Sequence, residues 1–265
     1  MIATITPSAQ ERVAGALAGE TLEQAVRRFR TDGALLLQDV IAPSLIADAR
    51  TALCDSYARY LNGDDHDDAL KVGGRRQMIM VDLEPPFDAP SLFANPWLLP
   101  ILEAALDEGF VVGAFGAVCS APDAPMQHPH RDGGVLFPRS GIDGLLPATA
   151  VNVGIPLVEM NEHHGMTTLW LGSHRHAHSD ADRQSIAPVV REGSLVLWDF
   201  RLKHSGTPNR SEAVRPLLYV TYCRPWWIDH LNFSKKTLTP IRARRTFLSS
   251  LSEEHRRLLA RAEGF

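Results

Sequence analysis

The segment "MQHPHRDGG", residues 126–134, concentrates side chains that bind metal ions. His128, His130 and Asp132 occupy alternate positions, so an extended strand would direct all three to one face. Two histidines and one carboxylate on one side of a metal, with open positions on the other, form the facial arrangement used by non-haem iron sites. An isolated HxD pair is nevertheless common in loops, so an iron site here needs a ligand from elsewhere in the chain.

The candidate for that ligand is His204. It lies in "RLKHSG", between the strand-like segments "GSLVLWDF" and "RPLLYVTYC", where the mouth of a β-barrel can present it opposite His130. Arg215 follows eleven residues later and begins the second segment. An arginine on the inward face of a strand requires an anionic partner, because burying an unpaired guanidinium is costly. A dicarboxylate cosubstrate would supply that partner.

Composition and charge limit the kind of protein that holds this site. The chain has 265 residues, 45% of them hydrophobic and 22% charged, which is typical of a globular protein. The net charge of −4 and the scattered basic residues argue against a nucleic-acid binder. We expect a cytoplasmic protein with no membrane partner, because the start of the chain lacks a signal-peptide pattern and no apolar run approaches the roughly 20 residues of a membrane span. Three cysteines without a CxxC motif argue against a disulfide framework and a cysteine-rich zinc site.

The hydrophobic pattern changes once along the chain. The region of about 20–107 is mainly helical in character; its first helix is predicted to begin at a Thr21/Gln24 capping box and to stop at Gly33. A short buried strand, "ALLLQDVI", follows that helix.

The region of about 108–228 consists of short apolar or alternating runs separated by turn residues. These runs are "FVVGAFGAVC", "AVNVGIPLV", "MTTLWL", "GSLVLWDF" and "RPLLYVTYC". A tail of about 229–265 is predicted to be helical, with a terminal helix in "SEEHRRLLARAEGF". We therefore expect a single domain, 1–265, that is mainly β with flanking helices.

With these residues at this spacing, the sequence resembles the phytanoyl-CoA dioxygenase-like (PhyH) family of iron(II)/2-oxoglutarate oxygenases. The resemblance covers most of the chain, through "DGALLLQDVIAPSL", "QHPHRD", "GMTTLWLGSH" and "HSGTPNRSEAVR". Members carry an HxD motif, a distal histidine and an arginine eleven residues after it, which match His130, Asp132, His204 and Arg215. The resemblance implies a double-stranded β-helix, or jelly roll, of the cupin type.

The resemblance also implies the cofactors and their contacts. Iron(II) would be held by the two histidines and Asp132, and 2-oxoglutarate by Arg215 together with Gln127 and Thr167, with O2 as the oxidant. Thr168 is adjacent to Thr167, which leaves open which threonine makes the contact. Asp132 further indicates an oxygenase, since halogenating relatives carry a small residue there.

Two other histidine groups compete for the metal. The resemblance, together with the spacing of the motif, places His128 outside the ligand set. Pro129 supports this, because it restricts His128 to extended conformations and donates no hydrogen bond, so a bend in the strand is expected. The segment "SHRHAHSD" places His174, His176 and His178 at alternate positions. We interpret it as a solvated loop, because no distal arginine or chelating partner accompanies it.

The substrate is only weakly indicated. Leu136 and Phe137 follow Asp132, and Trp226 and Trp227 follow the last strand, so the four either line an apolar substrate pocket or merely cover the barrel end. We expect hydroxylation of a small, largely apolar metabolite by a monomer or homodimer. Two alternatives stay open: a cupin-like metal-dependent isomerase or hydrolase, and a non-catalytic jelly roll that binds a small molecule.

Overall fold

The computed structural model describes residues 1–134, 136–137, 139–176, 184–233 and 238–265. The α-helices are α1 (Ala9–Ala14), α2 (Gly19–Asp32), α3 (Pro43–Ser56), α4 (Pro90–Phe93), α5 (Leu99–Leu106), α6 (Arg245–Ser250) and α7 (Glu253–Leu258). The strands are β1 (Thr4–Ile5), β2 (Ala34–Leu37), β3 (Leu70–Gly73), β4 (Arg76–Met80), β5 (Val111–Ser120), β6 (Ala150–Pro156), β7 (Thr167–Trp170), β8 (Ser185–Ile186), β9 (Leu195–Asp199), β10 (His204–Gly206), β11 (Arg215–Cys223), β12 (Arg242–Ala243) and β13 (Glu263–Gly264). Short 3₁₀ helices cover Ala58–Tyr60, Ile142–Leu145 and Ser173–Arg175.

Two sheets form the body of the protein. Eight strands make the larger sheet in the order β1-β2-β9-β6-β11-β5-β4-β3, in which only β1 and β2 are parallel. The smaller sheet has the order β10-β7-β8. Leu169 from the smaller sheet packs in one apolar cluster with Trp198 and Leu217 from the larger one. The five strand-like segments that the sequence predicts after residue 108 are confirmed as β5, β6, β7, β9 and β11.

Strand β11 shows how the larger sheet separates core from cavity. Leu218, Val220 and Tyr222 belong to the main apolar cluster, which also contains the buried residues of α2, α3 and α5. Leu217 and Tyr219 point the other way, toward the smaller sheet. Because side chains alternate along a strand and both faces are covered, all of β11 is buried. Arg215, two positions before Leu217, lies on the same face as Leu217 and Tyr219.

The predicted start of α2 is wrong, and a distant contact explains why. The helix begins at Gly19 with Ala18 as its N-cap, so Thr21 lies inside it. Glu11 of α1 accepts a hydrogen bond from the backbone N–H of Ala18 at 2.9 Å, which fixes the chain there without a local capping box. The predicted end at Gly33 is confirmed: this residue has φ 74°, and a Cβ there would lie 2.4 Å from His174 Nδ1.

The two ends of the chain are less purely helical than the sequence pattern predicts. Strands β2, β3 and β4 come from the region of about 20–107 and join the larger sheet. In the tail, α7 ends at Leu258 and β13 pairs with β12, so the predicted terminal helix is wrong beyond that point. None of the helices in the described ranges is long and apolar enough to cross a membrane.

Candidate active site

Backbone pairing brings the two candidate histidine ligands together. His130 and His204 form an antiparallel bridge, in which each backbone N–H donates to the other's carbonyl at 2.9 Å. The backbone N–H of Gln127 donates to Gly206 at 2.8 Å, so the chain before His130 runs beside β10. The imidazole ring centroids consequently lie 4.4 Å apart, at the edge of the smaller sheet.

The three predicted ligands form one compact group. His130 Nε2 lies 3.5 Å from Asp132 Oδ1, and His204 Nε2 lies 3.4 Å from Asp132 Oδ2. The Nδ1 atoms of the two rings lie 2.9 Å and 3.0 Å from the carbonyls of His128 and Leu202. Because a carbonyl only accepts, Nδ1 is the donor in both contacts, which leaves Nε2 as the ring nitrogen that would bind a metal ion. Two imidazole nitrogens and a carboxylate, with all three ligand atoms within 4.8 Å of one another, fit a divalent metal ion.

Asp132 is held in place by three side chains. Its Oδ2 accepts hydrogen bonds from Tyr219 Oη and Asn152 Nδ2, both at 2.6 Å. Thr221 in turn donates to Asn152 Oδ1 at 2.8 Å, which fixes the direction of the amide. Burial opposes ionisation of Asp132, but nearby His204 and the hydrogen bonds lower its pKa to about 2. The carboxylate is therefore ionised and oriented before any metal binds.

Arg215 lies in a row with a second buried arginine that the sequence analysis does not single out. Arg76 at the start of β4 and Arg215 at the start of β11 both pair in register with Ser120 of β5. Ser120 Oγ accepts from Arg76 Nε at 2.7 Å and from Arg215 Nη2 at 2.9 Å. In the sequence, the feature that could have indicated Arg76 is its position as the first residue of the strand "RQMIM". Arg215 likewise begins the strand "RPLLYVTYC".

Neither arginine has a carboxylate partner among the described residues, and Arg215 also has nitrogens that lack an acceptor. Arg215 Nε and Nη1 have no acceptor among the described residues, and neither arginine forms an ion pair with a carboxylate there. Arg76 also donates to the carbonyls of Pro125 and Thr207, at 3.3 Å and 3.0 Å. Burial lowers the pKa of both guanidinium groups to about 10, so both are cations at neutral pH. A buried cation without a counter-ion is a candidate binding site for an anion.

The triad and both arginines open into one cavity of about 270 Å³, which we call the inner cavity. Gln127 and Thr167 line it, whereas Thr168 is not among its lining residues. Gln127 already bridges two strands, because Nε2 donates to the Val72 carbonyl at 2.5 Å and Oε1 accepts from the Gly206 N–H at 2.8 Å. The apolar lining includes Leu70, Val72, Met78, Val118, Trp198 and Leu217.

None of the four residues that the sequence suggests for the substrate lines the inner cavity. Leu136 and Trp227 line a neighbouring pocket of about 250 Å³, which we call the outer pocket. Phe137 and Trp226 line neither, and Trp226 is 64% exposed. Three other residues line both spaces: Phe200, Asp229 and Leu231. The sequence does not reveal them, because only the folded loops bring them together.

Neither the His128 side chain nor those of His174 and His176 belong to the group of possible metal ligands. His128 is exposed and contributes only its carbonyl, as expected for a residue outside the ligand set. The solvated-loop interpretation is correct for His176 but wrong for His174, whose ring is 6% exposed. His174 packs against Gly33, and its Nε2 lies 3.2 Å from the Arg30 carbonyl. His178 lies outside the described residues.

Comparison with known proteins adds to this geometry. The sequence profile described as phytanoyl-CoA dioxygenase (PhyH) matches residues 29–217. The chain belongs to the phytanoyl-CoA dioxygenase family. The match includes the whole triad and Arg215. A relative from Aspergillus terreus, "Dioxygenase trt7", is 25% identical over 204 residues, which cover 73% of this chain and 70% of that protein.

Solved structures show the same fold as this member of the PhyH family. AviO1 from Streptomyces viridochromogenes Tue57 aligns with a TM-score of 0.59 and 25% identity, over 79% of this chain and 98% of that one. SnoN, a non-haem alpha-ketoglutarate-dependent epimerase from nogalamycin biosynthesis, aligns with a TM-score of 0.59 and 17% identity, over 78% and 84%. The carbocyclase SnoK from the same biosynthesis gives a TM-score of 0.56 and 19% identity, over 78% and 84%. Another SnoN structure contains Fe3+, alpha ketoglutarate and nogalamycin RO. These likenesses confirm the predicted jelly roll with flanking helices.

Proposed function

We propose that the protein is an iron(II)- and 2-oxoglutarate-dependent dioxygenase that hydroxylates a small, largely apolar metabolite. The observation that carries the proposal is the meeting, in one inner cavity, of a His130/Asp132/His204 metal site with a buried Arg215 whose Nε and Nη1 lack acceptors among the described residues. A metal site alone fits many reactions, but a buried guanidinium with two nitrogens that lack acceptors and no counter-ion is costly until an anion binds. The keto acid group of 2-oxoglutarate can bind iron(II), and its second carboxylate supplies the missing partner for Arg215.

Each part of the cavity has a task in this proposal. Iron(II) bound with 2-oxoglutarate and O2 supplies the oxidising chemistry for a C–H bond. Tyr219 and Asn152 hold the Asp132 carboxylate, so that one ligand needs no reorientation when the metal enters. Arg215 and Arg76 hold the distal carboxylate of the cosubstrate, with Gln127 and Thr167 beside it. The apolar wall around Leu217 and Met78 excludes water and favours an apolar substrate.

The test uses the apoprotein under anaerobic conditions. Iron(II) and 2-oxoglutarate are added in turn, and the weak visible charge-transfer band of the bound pair is recorded. We expect the band in the wild type and in His176→Ala, whose side chain is exposed and outside the triad. We expect no band in His130→Ala, Asp132→Ala or His204→Ala, because each loses one metal ligand.

The same titration separates the alternatives. A cupin-like isomerase or hydrolase would bind a metal but show no change with 2-oxoglutarate, and a non-catalytic module would form no succinate when O2 is admitted. Metal binding without any response to 2-oxoglutarate would overturn the proposal. Once a substrate is found, product mass tests the outcome, because hydroxylation adds one oxygen atom whereas epimerisation leaves the mass unchanged.

A further inference from the structure

The outer pocket adjoins the inner cavity. Phe200, Asp229 and Leu231 line both spaces, so these three residues lie between them. The ring of Phe200 is buried, whereas Leu231 is 68% exposed and lies in the loop after β11. An exposed leucine side chain changes rotamer readily, so this part of the wall can yield to a ligand.

Size indicates that a substrate needs both spaces. Pockets that hold small-molecule ligands usually measure about 300–1,000 Å³. The inner cavity, at about 270 Å³, already lies below that range and must also take the cosubstrate. The outer pocket adds about 250 Å³ beside it.

Asp229 and Arg201, the two formally charged residues of the outer pocket, already have hydrogen-bond partners. Asp229 accepts hydrogen bonds from the backbone N–H groups of Leu231 and Asn232 and from Asn232 Nδ2, at 2.8–3.0 Å. Arg201 donates to both carboxylate oxygens of the buried Asp199, at 2.8 Å and 2.9 Å. Because both charges serve the fold, the lining favours an uncharged ligand.

We propose that the outer pocket binds the remote end of an elongated, uncharged, largely apolar substrate whose reacting carbon lies in the inner cavity. This inference rests on the proposed function. Trp227 forms one wall of the pocket and meets Phe200 edge to face, with ring centroids 4.9 Å apart. Trp226, the adjacent residue in sequence, lines neither space and therefore has no part in binding.

A substitution at one of two glycines that line the outer pocket, Gly133 and Gly134, could block it. A Cβ on Gly133 would lie 2.4 Å from Phe200 Cδ1, so this position admits no side chain. A Cβ on Gly134 would meet only Leu231 Cδ1, at 3.8 Å, and the φ of Gly134 lies outside the left-handed region. Gly134→Leu should therefore fold and fill the pocket, while Trp227→Ala removes one of its walls.

The experiment uses straight-chain alcohols of increasing length as probes, from butanol to decanol. Their binding is measured by calorimetry or ligand-observed NMR on protein with iron(II) and 2-oxoglutarate under anaerobic conditions. Each buried methylene should strengthen binding about fourfold until the available pocket is full. In the wild type and in the control Trp226→Ala, the affinity for the alcohol should increase with chain length up to the same limiting length. In Gly134→Leu, the affinity should stop increasing at a shorter chain. In Trp227→Ala, the gain in affinity per methylene should be smaller than in the wild type, and only for the longest alcohols.

Two outcomes would overturn the inference: the same limiting chain length in all four proteins, or no binding of any alcohol to the wild type. Titration of 2-oxoglutarate in the same variants should be unchanged, because neither Gly134 nor Trp227 lines the inner cavity. If 2-oxoglutarate fails to bind, the proposed function fails. The alcohol series, repeated on the apoprotein, still reports on the outer pocket by itself.

Discussion

Replacing Arg215 by methionine should change stability and cosubstrate binding in opposite directions. Arg215 is 2% exposed, and its Nε and Nη1 atoms have no acceptor among the described residues. A second cation, Arg76, hydrogen-bonds to the same Ser120 hydroxyl. Methionine keeps most of the length of the side chain and removes the charge and the unpaired donors. Ser120 keeps Arg76 as a donor, so no new unpaired group is created there.

The magnitudes follow from the unpaired donors. A buried polar group without a partner costs about 1–3 kcal/mol, so Arg215→Met should raise the free energy of unfolding of the ligand-free protein by about that amount. For a protein of this size, each kcal/mol should raise Tm by about 2–4 °C. Hydrogen bonds to charged groups contribute about 1.5–3 kcal/mol, so the Kd for 2-oxoglutarate should increase from about tenfold to over a hundredfold.

Arg201, another buried arginine, provides the matched control. Like Arg215, Arg201 is almost entirely buried, with 7% of its surface exposed. Unlike Arg215, it is paired with a carboxylate, that of Asp199, through two hydrogen bonds. Arg201→Met leaves that carboxylate buried without its partner and should lower the free energy of unfolding by about 3–5 kcal/mol.

Urea unfolding of the ligand-free proteins and anaerobic calorimetry with iron(II) and 2-oxoglutarate measure the two effects. Arg215→Met should be more stable than the wild type without ligand and should gain little Tm from 2-oxoglutarate, whereas the wild type gains more. If Arg215→Met is destabilised as much as Arg201→Met and still binds 2-oxoglutarate with wild-type affinity, Arg215 is a structural residue and the anion site does not exist.

Two further predictions concern residues outside the cavity. Backbone N–H groups of Ser8 and Ala18 lower the pKa of Glu11 from 4.5 to about 2, so its stabilising effect is present above pH 4.5 and is lost as the pH falls toward 2. Thermal melts should therefore show Glu11→Gln less stable than the wild type at pH 7, with a gap that narrows below pH 4.5; a gap independent of pH would contradict this. His174→Ala should lower Tm because the ring is buried against Gly33, whereas His176→Ala should leave Tm unchanged, and iron(II) titrations should give wild-type affinity for both. Loss of iron binding in either variant would contradict the choice of triad.

Local rules determine what the sequence predicts correctly here. Apolar alternation placed the strands of the jelly roll, because side chains on a strand alternate between two covered faces. Gly33 marked the end of α2, because only glycine adopts a left-handed conformation there without strain. The HxD motif, the distal histidine and Arg215 indicated a family, which the match over residues 29–217 confirms.

Tertiary structure alone decided the rest, because each remaining feature depends on residues far apart in the chain. Arg76 becomes a partner of Arg215 only when β4 and β11 pair with opposite edges of β5, so that Ser120 lies between them. Trp227 rather than Trp226 lines the outer pocket because the loop after β11 packs the Trp227 ring against Phe200. Neither composition nor periodicity predicts these contacts. They are determined by strand register and by the packing of loops against the sheet, where the long-range contacts of the folded chain outweigh local preference.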